Sequence, residues 1–176
     1  MGLKLLSALG GVLIMALVTA ALVWGTIFLT NGDPLWFSRS FTAQADRIVI
    51  YWDGETTTLF PGDPDYEAIM SAFADMVAHW AGYEGQVGLS EVSLAKYRNE
   101  LRLLEMHYEN PVQAHTRNLY SKASTFYVPL SGTHANWRRI FAGMKENTPG
   151  VGVLNANEEC FNRLLTAVEQ IVQPSR

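Results

Sequence analysis

The sequence predicts an α+β fold: a single N-terminal transmembrane helix, then a two-layer domain with an antiparallel sheet and helices packed on one face. Three observations predict it. No charged side chain occurs from Leu5 through Gly32. Beyond Gly32, strand-like and helix-like apolar patterns are mixed without strict alternation. The first strand-like segment, Arg47-Ile-Val-Ile-Tyr-Trp52, is apolar on both faces and runs straight into an Asp53-Gly54 turn. The expected divisions are an anchor over 1–32, a juxtamembrane linker over 33–46 and an extracytoplasmic α+β domain over 47–176.

As a helix, the apolar run from Leu5 to Leu29 is about 37 Å long, against a hydrocarbon core of about 30 Å. Val18-Thr19-Ala20 has the small-residue form of a signal-peptide cleavage site. The run nevertheless continues through Leu22, Val23, Trp24, Ile27, Phe28 and Leu29, so an uncleaved anchor is expected. Lys4 is the one charge before the span, which places the N-terminus in the cytoplasm and the domain outside, although Arg39 and Arg47 weaken that bias.

Ser7, Gly11, Val18, Ala21 and Gly25 recur along one side of the anchor, and small residues let two helices approach closely in lipid. With the juxtamembrane Trp36, Phe37 and Phe41 they form the expected partner interface. The three aromatic residues equally suit a membrane–water belt or packing under the domain. The expected partners are the bilayer and other integral membrane proteins.

Charge is uneven: residues 33–91 carry a net −8 and residues 92–176 a net +3. That balance argues against a nucleic-acid partner, which favours a strong basic excess. Cys160 is the single cysteine, so no intramolecular disulfide can form, and it reads as a buried small hydrophobe. No Asn-x-Ser/Thr sequon occurs, which sits most easily with a bacterial membrane protein.

Arg47–Trp52 and Thr56–Phe60 are expected to pair as a hairpin. Asp63 reads as a helix N-cap with Pro64 at the first helical position. Tyr66, Ile69, Met70, Phe73, Met76, Val77 and Trp80 then follow at helical spacing up to Gly82. Gly82–Gly88 reads as a loop and Ser90–Arg98 as a short helix. Glu100–Glu109 and Ser121–Leu130 read as strands, the second ended or held at an edge by Pro129. Trp137, Ile140, Phe141 and Met144 suggest a helix from Thr133 or His134. Thr148–Gly152 reads as a turn and Val151–Leu154 as a short strand. A last helix, capped by Asn155 or Asn157, carries Phe161, Leu164, Leu165, Val168, Ile171 and Val172. The doubly apolar Arg47–Trp52 should be central, with its second face covered by the linker or by another protein.

Glu105, His107 and Glu109 alternate on one side of a predicted strand, a donor set suited to zinc. A solvated strand face accounts for the same pattern. His79, His115 and His134 are scattered without metalloenzyme spacing. Ser121, Lys122 and Ser124 lack the helical spacing of a serine–lysine pair. Asp53, Asp63 and Asp65 fit turns and a cap rather than calcium. Arg138 and Arg139 beside Trp137 suit an acidic headgroup or simply a wet face. With no phosphate-binding glycine loop and no nucleophile elbow, neither a cofactor nor a catalytic set is expected. The expected role is therefore a non-catalytic accessory subunit of a membrane complex. A tethered sensor or ligand-binding module is the alternative, and a hydrolase using Glu105, His107 and Glu109 stands third.

Overall fold

Uncharged after Lys4, residues Gly2–Asn31 form one helix, α1, in the computed structural model, which describes residues 2–35, 38–115, 122–144 and 151–173. Its Ala8–Thr30 stretch has a mean hydropathy of 2.5 and no part of it is buried. It is long and apolar enough to cross a bilayer. Gly32 ends it with φ +65°, a left-handed conformation that glycine adopts without a side-chain clash, and its N–H donates to the Phe28 carbonyl at 2.8 Å.

The junction below is ordered by polar contacts. The Trp24 Nε1–H donates to the Pro34 carbonyl at 3.3 Å. Buried Asp33 accepts from the Leu35 N–H at 2.9 Å and lies 3.1 Å from His115 Nδ1. Further along, the Tyr66 hydroxyl donates to the Ala45 carbonyl, fastening the linker to the domain.

The remaining elements are β1 (Arg47–Trp52), β2 (Glu55–Leu59), α2 (Tyr66–Ala78), β3 (Trp80–Gly88) and α3 (Glu91–Glu100). They continue as β4 (Leu103–Val112), β5 (Ala123–Pro129), α4 (Gly132–Asn136), β6 (Arg139–Gly143), β7 (Val151–Ala156) and α5 (Glu158–Val172). Among the described residues, seven strands form one antiparallel sheet in the order β2-β1-β4-β5-β6-β7-β3. The α+β arrangement predicted from sequence is thus the one observed. Asp53 and Gly54 turn the first hairpin with φ of 51° and 91°, the backbone twist that a two-residue connection between right-twisted strands requires.

Alternation along the strands divides the side chains between two layers. Ile48, Ile50, Leu104, Met106, Phe126, Val128, Ile140 and Leu154 meet α2 and α5 through Ile69, Phe73, Met76, Phe161, Leu164 and Val168. On the opposite face, Tyr51, Leu103, Tyr127, Phe141 and Val153 pack against Leu89 and against Leu94 and Tyr97 of α3. The two long helices therefore share one face, while the shorter α3 covers the middle of the other. Ser90 caps α3 by accepting from the Ser93 N–H at 3.1 Å, and Asn157 caps α5 by accepting from the Glu159 N–H at 2.9 Å.

Several expectations need correction. Asp63 is not the cap of α2: its carboxylate accepts from the Phe60 N–H at 2.7 Å, and Asp65 occupies the cap position without a side-chain bond. Trp80 and the glycine-rich stretch after it are not a helix end and a loop but edge strand β3, paired with β7 through register shifts. Strand β4 runs on through Asn110 and Pro111, past its expected end at Glu109. The helix expected through Met144 is only the short α4, because Ile140 and Phe141 lie on β6 and supply one core layer each. Helical spacing over so short a window mimicked a strand buried on both sides. Strand β1 lies second from an edge, with β4 and β5 further in.

Of the two readings left open for Phe41, an interface and packing under the domain, the second is observed: it lies inside the core. Only 6% exposed, it meets Phe73, Tyr108 and Phe126 edge-on at centroid distances of 5.7, 6.2 and 5.9 Å. Trp36, Phe37, Ser121 and Thr148–Gly150 lie outside the described residues, as does the Ser7 side chain.

Candidate functional site

Polar side chains flank the apolar centre of the α3-covered face on both sides. Toward the β2 edge, β4 places Glu105 and His107 on that face and β5 brings Thr125 beside them. Glu105 is 1% exposed. Its Oε1 accepts from Arg98 Nε of α3 at 2.6 Å, and its Oε2 lies 2.9 Å from His107 Nε2. His107 Nδ1 is 3.4 Å from the Thr125 hydroxyl. Arg98 also lies over the Tyr51 ring, 5.8 Å from its centroid.

This arrangement overturns the solvated-face reading of Glu105 and His107. Burial pushes the Glu105 carboxyl up, but the hydrogen bonds from His107 and Arg98 outweigh it and hold the group below the ordinary carboxylate range. The buried charge is thus paired on both oxygens. Glu109, the third residue of the expected metal set, is exposed and stands outside the pair; its backbone N–H donates to Asp46 Oδ2 at 2.6 Å. With both Glu105 oxygens occupied, the strand trio does not assemble as a ligand set.

Two open grooves adjoin His107. One, of about 320 Å³, is lined by Arg47, Tyr51, Thr56, Thr58, Arg98 and Glu105. The other, of about 330 Å³, lies at the strand ends among Asp46, Arg47, Phe60, Glu109 and Ser124.

On the opposite side, Arg139 of β6 is paired to Glu84 of β3 at 2.6 Å and stacks on Trp137 at 4.2 Å. Asn155 Nδ2 donates to the other Glu84 oxygen at 3.0 Å. The Arg139 charge is therefore neutralised within the chain, contrary to the wet-face reading, while Trp137 stays exposed. Arg138, with φ +52°, reaches Glu158 at 3.5 Å.

The remaining candidates serve local structure. Asp53 pairs with Arg102 at 2.7 Å, and Arg102 stacks on Trp52 at 4.0 Å. The Ser124 hydroxyl donates to the Met144 carbonyl at 2.9 Å. His134 Nδ1 lies 3.0 Å from the Tyr97 hydroxyl. Gly11, Ala21 and Gly25 lie along α1, and a Cβ added at Gly11 or Gly25 would meet nothing within 4 Å.

Sequence reasoning missed Arg98 and Thr125 as partners of Glu105 and His107, and Glu84 as the partner of Arg139. It also missed the convergence of Asp75 and His79 on α2 with Cys160 on α5, the one group among the described residues whose ligand atoms all lie within 4.8 Å of one another. The spacing of four between Asp75 and His79 was the visible signal. No family model, curated protein or solved structure matches this chain significantly.

Proposed function

We propose that this protein is a single-pass, membrane-anchored accessory subunit, with its N-terminus in the cytoplasm and its α+β domain on the far side of the bilayer. The observation that carries this reading is the bare flank of α1. Leu9, Val12, Leu13, Ile14, Met15, Leu17, Leu22 and Leu29 are all exposed, and nothing in the domain covers them. Apolar surface on that scale has to be covered by lipid tails or by a neighbouring helix. The small residues Gly11, Ala21 and Gly25 leave room for a neighbour's backbone. In the domain, Glu105, Arg98, Arg139 and Glu84 hold one another, which favours a rigid docking body over a turnover site.

Extraction in a gentle detergent followed by size-exclusion chromatography tests the reading. Co-elution with other membrane proteins is expected, and elution as a lone monomer would overturn the subunit role. Release of the full chain from vesicles by carbonate would overturn the anchor. A C-terminal tag accessible only from the cytoplasm would reverse the orientation.

The groove lined by Arg47, Thr56, Thr58 and Arg98 favours a second reading, a tethered module that binds a small polar ligand. Native mass spectrometry of the extracted chain should then show a bound small molecule that is lost in Thr58→Trp, a change that fills the groove.

A further inference from the structure

We propose that Asp75, His79 and Cys160 form a binding site for a divalent cation of the zinc class where α2 meets α5. The site stands independently of the subunit reading and of the grooves beside His107. Asp75 and His79 are four residues apart on α2, counting the residue that ends it, so both project from one side of the helix. Cys160 lies in the first turn of α5, which packs along α2. A carboxylate oxygen, an imidazole nitrogen and the thiol sulfur all lie within 4.8 Å of one another. His79 Nδ1 is already 2.9 Å from Asp75 Oδ1.

Donor atoms around tetrahedral zinc stand about 3.5 Å apart, given bonds of about 2.0–2.3 Å. A separation at the 4.8 Å limit would have to close by roughly an ångström, while the 2.9 Å between His79 Nδ1 and Asp75 Oδ1 would have to open slightly. The His79 side chain, 58% exposed, has the freedom to make that adjustment. Thiolate, imidazole and carboxylate together select zinc-class ions over calcium or magnesium, which prefer all-oxygen shells. Three protein donors leave a fourth position for water.

The seat already attracts positive charge. Arg163 Nη2 lies 2.8 Å from Asp75 Oδ2 and donates to Cys160 Sγ at 3.5 Å. A metal ion must displace this guanidinium, which is largely exposed and has Glu159 within 3.9 Å as an alternative partner. On binding, the Cys160 S–H bond breaks, its proton leaves to solvent and a sulfur–metal bond forms. His79 binds through a ring-nitrogen lone pair; for Nδ1, which also lies 3.0 Å from the Asp75 carbonyl, the ring proton must sit on Nε2 and that carbonyl contact must be given up. Burial and the nearby Asp75 carboxylate raise the free thiol's pKa, so the metal must supply the charge that stabilises the thiolate.

Cobalt(II) titration of the full chain in detergent tests the site, because Cys160 is the sole cysteine and any thiolate-to-cobalt charge-transfer band reports it alone. The band should saturate at one equivalent, vanish on adding zinc and be absent in Cys160→Ser. Affinity should fall roughly tenfold or more in His79→Ala, since loss of even an outer-sphere partner costs that much. It should rise in Arg163→Gln, where the competing cation is gone. His79→Ala alters an exposed side chain at a helix end, and its unchanged melting temperature without metal would separate lost ligation from lost folding. No band in the wild-type chain, or equal affinity in His79→Ala, would overturn the site and leave an Arg163–Asp75 ion pair only.

Discussion

Arg98 of α3 and Glu105 of β4 are joined across the second face of the sheet, Nε to Oε1 at 2.6 Å, with the carboxylate almost wholly buried. This ion pair fastens a helix of modest apolar content to the sheet it covers. Arg98→Ala should leave the carboxylate with His107 alone and destabilise the domain by about 2–4 kcal/mol. Chemical denaturation of the detergent-solubilised chain, followed by tryptophan fluorescence, measures this. The double variant Arg98→Met/Glu105→Leu should cost less than the two single changes together, because no uncompensated charge remains.

Acid should undo the same contact. The folded Glu105 carboxyl sits below its ordinary value of 4.5, so the unfolded chain takes up the proton first as pH falls. The stability this group contributes is complete above 4.5 and is lost as pH drops through the lower folded value. Glu105→Gln should flatten the stability profile in that window. A slope identical to wild type would show that other carboxylates carry the acid response.

His134 should act at milder pH. Burial, and then the charge of Arg139, hold its imidazole below the ordinary 6.5. The unfolded state therefore binds this proton more readily, and stability should decline as pH falls through 6.5 toward the folded value. With its proton on Nε2, Nδ1 accepts from the Tyr97 hydroxyl, an acceptor that protonation removes. His134→Asn should reduce the slope between 6.5 and the Glu105 window, read by thermal melting across a pH series.

Phe41 should prove structural. Replacing it with alanine empties a site bounded by Phe73, Tyr108 and Phe126 and should cost about 3–5 kcal/mol. Denaturation midpoints measure the loss. A neutral effect on stability with weakened co-elution of membrane partners would return Phe41 to an interface role.

Local pattern made much of this protein legible. An uncharged run longer than a bilayer core, an Asp-Gly turn between β-branched stretches, and the helical stripes of α2 and α5 all depend on interactions within a few residues. So does the cap at Asn157, whose side chain satisfies an N–H two positions on. The alternation of Leu104, Met106 and Tyr108 correctly separated the two faces of β4.

Contacts distant in sequence decided the rest. Strand β3 is rich in glycine and earns its place through β7, about seventy positions later. Strand β6 has a side chain for each core layer, so neither a period of two nor one of 3.6 identifies it. The same distance hides the chemistry: Glu105 reads as a wet residue until α3 folds over it, and His79 reads as one of several scattered histidines until α5 brings Cys160 beside it and Asp75. Periodicity reports which residues share a face, whereas burial and charge pairing depend on what the rest of the chain lays against that face.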